Sequence, residues 1–424
     1  MRYIYDIFFL VFSIFYLPYL VIKKKAHKDF AQRLGFLPDE ITGIERPVWI
    51  HAVSVGEAVL AAEVSRRLKN KYPGLKIAVS TTTESGNNIM RARGGDFVDG
   101  IFYFPLDLSG VVRRVVARIN PSAFIMIETE IWPNLLMCLR ENGIPAMLVN
   151  GRISDRSYKN YRSVKFLMRG ILQNIDHFCM QTHKDAQRIG SLGAEIRRIE
   201  VTGNIKFDCC PDPAGVEVFS REQLGFGRND HILVAGSTHY PEEQYIIEAY
   251  KQLKERYADL KLIIAPRHVE RSGAIGIYIE KNKLKYLRFS EMDSVTRMGE
   301  EGPEILLVDS IGHLSGLYAL ASIIFIGGSL VRRGGQNPIE GARTGKPVIF
   351  GPFMYNFREI SEMFLESGAA VMAGRKEQLP RIIDDLLTDA AKRELMGQRA
   401  ARLVEENTGA VDRVIEIIKE QVQS

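Results

Sequence analysis

The 424-residue sequence contains only four cysteines, Cys138, Cys179, Cys209 and Cys210, with no C-x-x-C pairing and no histidine cluster beside them. This excludes a zinc site and a disulfide framework and fits a reducing compartment. No apolar run leads into G-x-G-x-x-G, so the dinucleotide fingerprint is missing. "GARTGKP" imitates a phosphate-binding loop, but only three residues part its glycines and proline follows the lysine, where a magnesium-binding hydroxyl should stand. No D-x-D pair exists to hold a metal on a diphosphate. Any phosphate chemistry is therefore expected to run without a metal, and no cofactor is expected. Charge of one sign is scarce as well: 56 Lys and Arg against 51 Asp and Glu give a formal +5. A solvated surface accounts for that excess as readily as an anionic partner does. No nucleic acid is expected as a partner.

What is present reads as a globular protein. Apolar residues make up 46% and charged ones 25%, which argues against bulk disorder, and the length implies two or three domains. The N-terminus departs from this average. "YIYDIFFLVFSIFYLPYLVI" is apolar over about 20 residues, close to the span of a hydrocarbon core, and "KKK" follows at once. A signal peptide carries its charge before the apolar run, so residues 1–22 are expected to be a membrane anchor. The following 23–46 segment is basic, and the positive-inside rule keeps it cytoplasmic. Asp6 and Pro18 weaken a spanning helix, and a helix lying in the interface is the alternative. Arg33, Lys28 and the lysines at 23–25 are expected to face anionic lipid, or simply to control topology.

From residue 47 onward, nearly continuous apolar runs alternate with helical patterns. "VWIHAVS", "LKIAVSTTT", "IFYFP", "AFIMIE", "IPAMLVN" and "HFCMQT" are strands covered on both faces. The alternation stops at the proline-rich "FDCCPDPAG" and restarts with "HILVAGS", "LKLIIAPRH", "EILLVDS", "SIIFIGGSL" and "KPVIFG". The expectation is an α/β protein of two Rossmann-like domains, 47–210 and 229–405, facing one another across a cleft. A linker at 211–228 joins them and an amphipathic helix at 406–424 ends the chain. Ligands in such sheets bind at the carboxyl ends of strands.

The loops at those ends carry the chemistry. In "HAVSVGEAVLA", Glu57 stands where a strand gives way to a helix, either as an ordinary helix cap or as a base, and the helix start is expected to hold its pKa down. "IMIETEIWPNLL" sets Glu128 and Glu130 at alternate positions, which on extended backbone point to one side. Lys206, in "VTGNIKFD", follows a glycine turn. In the second half, "FIGGSLVRRGGQNPIEG" runs from a buried strand through Gly327 and Gly328 to Asn337, Pro338, Ile339 and Glu340. Its glycines allow close backbone approach to a phosphate, the Asn-Pro pair opens a helix, and Glu340 suits ribose hydroxyls; a plain glycine turn with a capped helix fits equally. "IIAPRHVER" places Pro266 and Arg267, and "VDSIGHLSG" places Ile311, Gly312 and His313, past other strands of the same half. "AGSTHYPEEQ" adds His239.

Seven stretches in order, "HAVSVGE", "ETEIWPNLL", "NGRISDRSY", "VTGNIKFD", "GSTHYPEE", "APRH" and "GGSLVRRGGQNPIE", resemble the 3-deoxy-D-manno-octulosonic acid (Kdo) transferases over nearly the whole chain. The resemblance implies a GT-B glycosyltransferase at the cytoplasmic side of the inner membrane. It would move Kdo from CMP-Kdo to the lipid A precursor, lipid IVA, in lipopolysaccharide biosynthesis, with inversion. It also implies Glu57 as general base, Glu128 and Lys206 as transition-state aids, and CMP contacts at Pro266, Arg267, residues 311–313 and residues 337–340. His313, Gln336 and Pro241 depart from the family pattern. Two other readings stay open: a GT-B enzyme using a UDP-sugar on a lipid, and a nucleotide-sugar binding protein without turnover.

Overall fold

The computed structural model describes residues 5–7, 30–210, 217–292 and 302–423. The chain divides into two compact units, residues 1–209 with 407–424, and residues 210–406.

Unit 1 is a seven-stranded parallel sheet. Its strands are β1 (Val48–Ala52), β2 (Ile77–Thr81), β3 (Gly100–Tyr103), β4 (Ala123–Ile127), β5 (Ala146–Gly151), β6 (His177–Met180) and β7 (Ile199–Val201), in the order β3-β2-β1-β4-β5-β6-β7. The apolar runs form strands because helices cover both faces: β1, β2, β4 and β5 are buried at every position. Two large polar side chains inside this sheet are held locally. The Trp49 indole donates to Ser80 Oγ at 2.7 Å, and the His51 ring stacks on Phe104 with centroids 3.8 Å apart. Burial pulls the His51 pKa down to about 3, so this histidine stays neutral and structural.

Unit 2 repeats the plan with β8 (His231–Thr238), β9 (Leu260–Pro266), β10 (Tyr286–Arg288), β11 (Ile305–Leu307), β12 (Ile323–Ile326), β13 (Val348–Phe350) and β14 (Ala370–Met372), ordered β10-β11-β9-β8-β12-β13-β14. In each sheet the order reverses once, between β1 and β4 and between β8 and β12. Helices leave on opposite faces there and open a crevice at the strand ends. Three of the four edge strands, β7, β10 and β14, lack the long apolar run that announces the others.

Several segments pack more tightly than their composition suggests. Of the expected basic segment 23–46, residues from 30 onward belong to unit 1, with Leu37 and Ile41 buried in its core. Arg33 is tied to the sheet: its guanidinium donates to the Thr82 carbonyl and lies 5.6 Å from the Tyr103 ring centre, and burial lowers its pKa. Of the expected linker, Phe219, Leu224 and Phe226 are buried in unit 2. The apolar contribution of each such side chain, roughly 1.5–3 kcal/mol, explains why these stretches fold onto the sheets.

The last helix, Ala410–Gln423, joins unit 1, where Val411, Val414, Ile415, Ile417 and Ile418 enter the core beside Leu60 and Ile205. Asp208 caps it, accepting from Gly409 N at 2.6 Å and Val411 N at 3.0 Å.

The expected anchor lies outside the described residues except for residues 5–7. No described helix is long and apolar enough to cross a membrane. Asp6 acts as a cap from a distance. Its carboxylate accepts from Ser109 N at 3.1 Å, Ser109 Oγ at 2.5 Å and Asn134 Nδ2 at 2.7 Å, at the start of the helix Ser109–Ile119.

Candidate functional site

In unit 1 the switch point holds the carboxylates. Glu57 sits in the first turn of the helix Val55–Lys71, which follows β1, with Ser54 as N-cap accepting from Glu57 N at 3.3 Å. Its own oxygens are both engaged, Oε2 by Val53 N and Oε1 by the Ser54 hydroxyl, each at 2.7 Å. This is a reciprocal capping box, so the residue is a cap whatever else it does. The residue is only 7% exposed. Burial outweighs those hydrogen bonds and moves the pKa up, opposite to the direction expected from the helix start.

Glu128 and Glu130 follow β4, the neighbour of β1. Glu128 lies in the left-handed region, φ 59°, so the alternation expected of extended backbone ends at Ile127. Its Oε1 stands 3.5 Å from Lys206 Nζ. Lys206 is set by a short turn, Ile205–Phe207, whose first amide donates to Asn150 Oδ1 at 3.0 Å, while Asn204 Oδ1 accepts from Lys206 N at 3.0 Å. Asn150, at the end of β5, is itself left-handed, φ 57°. The structure therefore gathers two sequence-predicted residues, Glu128 and Lys206, into an ion pair, and couples both Glu57 and Glu130 to Glu128. Glu130 is half-buried, and burial followed by the charges of Glu57 and Glu128 pushes its pKa up to about 7. Tyr161, on the helix Asp155–Ser163, feels Glu130 in turn.

In unit 2 the switch point holds cations, arranged by two carboxylates the sequence reading left unassigned. Glu242 is fully buried and accepts from Gly328 N at 2.6 Å, Ser329 N at 2.9 Å, Leu330 N at 2.8 Å and His239 N at 2.9 Å. The glycine-loop amides expected to cradle a phosphate are thus turned inward onto a side chain. Gly327 is required because a Cβ would lie 2.3 Å from Ser237 O. Glu243 pairs with Arg271 at 2.7 Å and accepts from Thr238 Oγ1. The adjacent pair "EE" in "THYPEE" so ties together the loops after β8, β9 and β12. That doublet just past a strand was the available signal.

The tie gathers side chains around Gly328, φ 68°, where an added Cβ would meet His239 at 3.2 Å, Arg333 at 3.5 Å and Gln336 at 3.5 Å. Gln336 Nε2 lies 3.2 Å from His239 Nε2, and the His239 and His268 rings are 5.5 Å apart. Burial, then the charges of His268, Arg333, Arg267 and Arg271, drive the His239 pKa down to about 4. Arg267 is exposed, with its amide held by Thr238 O at 2.9 Å, directly after Pro266 in β9. This is a preformed positive surface suited to an anion.

A cavity of about 300 Å³ in unit 2 is lined by Glu217, Phe219, Ser315, Gly316, Glu340 and Arg343, among others. Two predicted loops meet at it. Asn337 caps the short helix Pro338–Ala342 by accepting from Ile339 N at 3.1 Å, and Glu340 accepts from the Ser315 hydroxyl. His313 is held by Glu217 at 2.7 Å and stacks on Phe289 with centroids 4.4 Å apart. Pro338 and Ile339 are buried, whereas Ile311 is 83% exposed beside Gly312, φ 107°. Glu217, Phe219 and Ser315 escaped the sequence reading because they belong to no phosphate or base pattern.

Comparison with known proteins gives a consistent result. Residues 28–209 match the family model described as 3-deoxy-D-manno-octulosonic-acid transferase (kdotransferase). A 3-deoxy-D-manno-octulosonic acid transferase of Haemophilus influenzae is 31% identical over 94% of this chain and 93% of its own length. That of Bordetella pertussis is 31% identical over 88% and 87%. Among solved structures, Acinetobacter baumannii MurG covers 88% of this chain and 100% of its own at a TM-score of 0.56 and 12% identity, which speaks to the fold alone.

Proposed function

The chain belongs to the 3-deoxy-D-manno-octulosonic acid (Kdo) transferase family and is a glycosyltransferase; from that premise we propose that it moves Kdo from CMP-Kdo to a hydroxyl of the lipid A precursor, lipid IVA, inverting the anomeric carbon. The observation that carries the reading is Glu57, a buried carboxylate in the first helical turn after β1, at the switch point of a chain from this family.

In this reading unit 2 holds the donor. The cavity beside Glu340 and His313 takes the nucleoside, with the Glu340 carboxylate accepting from ribose hydroxyls. The leaving phosphate gathers negative charge as its bond to the sugar breaks, and Arg267 with its neighbouring cations stabilises that charge without a metal. Unit 1 supplies the base. Glu57 accepts the proton of the acceptor hydroxyl as its oxygen attacks, an effect worth roughly 10²–10⁴ in rate. Glu128 and Lys206 hold the developing charges as an ion pair. The acceptor is an amphiphile, so the protein works at the cytoplasmic leaflet of the inner membrane, attached by its apolar N-terminal run.

Incubation with CMP-Kdo and lipid IVA, followed by mass spectrometry, is expected to show the acceptor mass raised by whole Kdo units. Transfer from a UDP-sugar in a competing incubation would favour the other donor class. Tight CMP binding with no product from either donor would leave a binding protein.

A further inference from the structure

The cavity of unit 2 carries a second carboxylate that no sequence pattern announced. Glu217 and Glu340 both line it, with Phe219, Ser315 and Gly316. Each acid has one oxygen engaged: Glu217 Oε2 accepts from His313 Nδ1 at 2.7 Å, and Glu340 Oε1 accepts from the Ser315 hydroxyl. The other oxygen of each has no hydrogen-bond partner among the described residues. A carboxylate only accepts, so a ligand that satisfies this cavity brings donors at two places.

Glu217 is held in position. His313 stacks on Phe289 with centroids 4.4 Å apart and meets the edge of Phe219 at 6.1 Å, which fixes the imidazole that donates to Glu217. Asp309 accepts from Ser290 N at 3.0 Å and Ser290 Oγ at 2.7 Å, tying the loops that bear Phe289 and His313. Gly316 lets residues 217–219 lie against the helix Leu314–Leu320, because a Cβ there would stand 2.1 Å from the Glu217 carbonyl oxygen. Val218, Phe219 and Ala319 give the same lining an apolar surface for the flat face of a base. The volume of about 300 Å³ lies at the lower end of ligand sites, roughly 300–1,000 Å³, and suits a nucleoside.

We propose that Glu217, positioned by His313, accepts from the exocyclic amino group of the donor's base and so selects a cytosine over a uracil nucleotide. The proposal rests on the reading above that this cavity takes the nucleoside, with Glu340 on the ribose hydroxyls. Cytosine carries an amino group where uracil carries a carbonyl oxygen. A carboxylate accepts from the amino group, whereas against the oxygen two acceptors face each other and neither is satisfied. Contact with the ring N3–H of uracil would reverse the preference, so the ratio of CMP to UMP binding reads the contact directly. Because the Glu217 side chain is exposed, water relieves part of the mismatch, which sets the expected ratio at about tenfold.

The test is calorimetric titration of the full chain with CMP and with UMP, for the native protein and for Glu217→Ala, Glu217→Gln, His313→Ala and His313→Asn. The native chain should bind CMP about tenfold more tightly than UMP. Glu217→Ala should weaken CMP about tenfold with UMP within about twofold, and Glu217→Gln, whose amide also donates, should bring the two nucleotides within about twofold. His313→Ala should cut the ratio to about threefold, and His313→Asn, which keeps a nitrogen donor for the carboxylate, should restore it. A packing role alone would weaken both nucleotides alike and leave the ratio at its native value. A preference for CMP that persists in both Glu217 variants overturns the assignment to Glu217. His313→Asn behaving as His313→Ala overturns the positioning role. Equal binding by the native chain, or a preference for UMP, overturns the proposal, and the transfer assay above then decides the donor reading separately, since sugar moved from CMP-Kdo sustains it without Glu217. Binding of neither nucleotide overturns both.

Discussion

The same architecture serves opposite charges in the two units. Each sheet is seven-stranded and parallel, and each reverses its order at one point. At that point unit 1 presents Glu57, Glu128 and Glu130 with Lys206, while unit 2 presents Arg267 and Arg333 beside a His239 held neutral by its surroundings. The polar stitching differs to match. In unit 1 a backbone amide and a hydroxyl hold the Glu57 carboxylate itself; in unit 2 a buried acid holds the backbone and leaves the cations outside. One sheet design therefore presents either carboxylates or cations at its strand ends, according to which charge is consumed internally.

The sharpest way to break this division is Glu57→Gln. Transfer should fall by roughly 10²–10⁴, while CMP affinity measured by calorimetry stays within about twofold. A matching loss of CMP affinity would mean the two units do not divide the work. Next is Glu242→Ala, which orphans four amides, two of them buried, at a cost of about 1–3 kcal/mol for each buried group left unsatisfied. We expect about 3 kcal/mol less protection from hydrogen exchange in unit 2 and at least a tenfold weaker CMP complex, with unit 1 unchanged.

Smaller is the pH signature of Glu130. Its pKa in the folded chain is about 7 against an ordinary 4.5, so the folded state disfavours its charge. The stability it contributes is complete below pH 4.5 and is lost as pH rises through 7. Allowing for its partial exposure, native unit 1 should lose about 1 kcal/mol of exchange protection between pH 4.5 and 8 that Glu130→Gln does not lose. The mildest effect is expected from Asp208→Ala. Removing this cap should cost about 1 kcal/mol and free the amides of Gly409 and Val411 for exchange, again in unit 1 alone.

Much of the fold was legible because buried parallel strands announce themselves as unbroken apolar runs. The runs around Trp49, Ile125, Val234 and Phe325 all became central strands. Strands β7, β10 and β14 stayed hidden, since three residues paired on one side need no such run. The polar ties were hidden for another reason. Asp208 meets Gly409 across 201 residues, Asp6 meets Asn134 across 128, and Glu242 meets Gly328 across 86, so no local spacing encodes them. Glu57, Glu128 and Lys206 were singled out by family resemblance, and the structure pairs the last two; the upward pKa shifts of Glu57 and Glu130 depend on burial that only the packed chain provides.

Because the loop at residues 328–330 is anchored by the buried Glu242 side chain, its shape exists before any ligand arrives. Ordering was completed when the chain folded, so little conformational entropy is left to lose at association. Empty and occupied forms should therefore superimpose at this loop, and small nucleotide fragments should bind with high efficiency for their size.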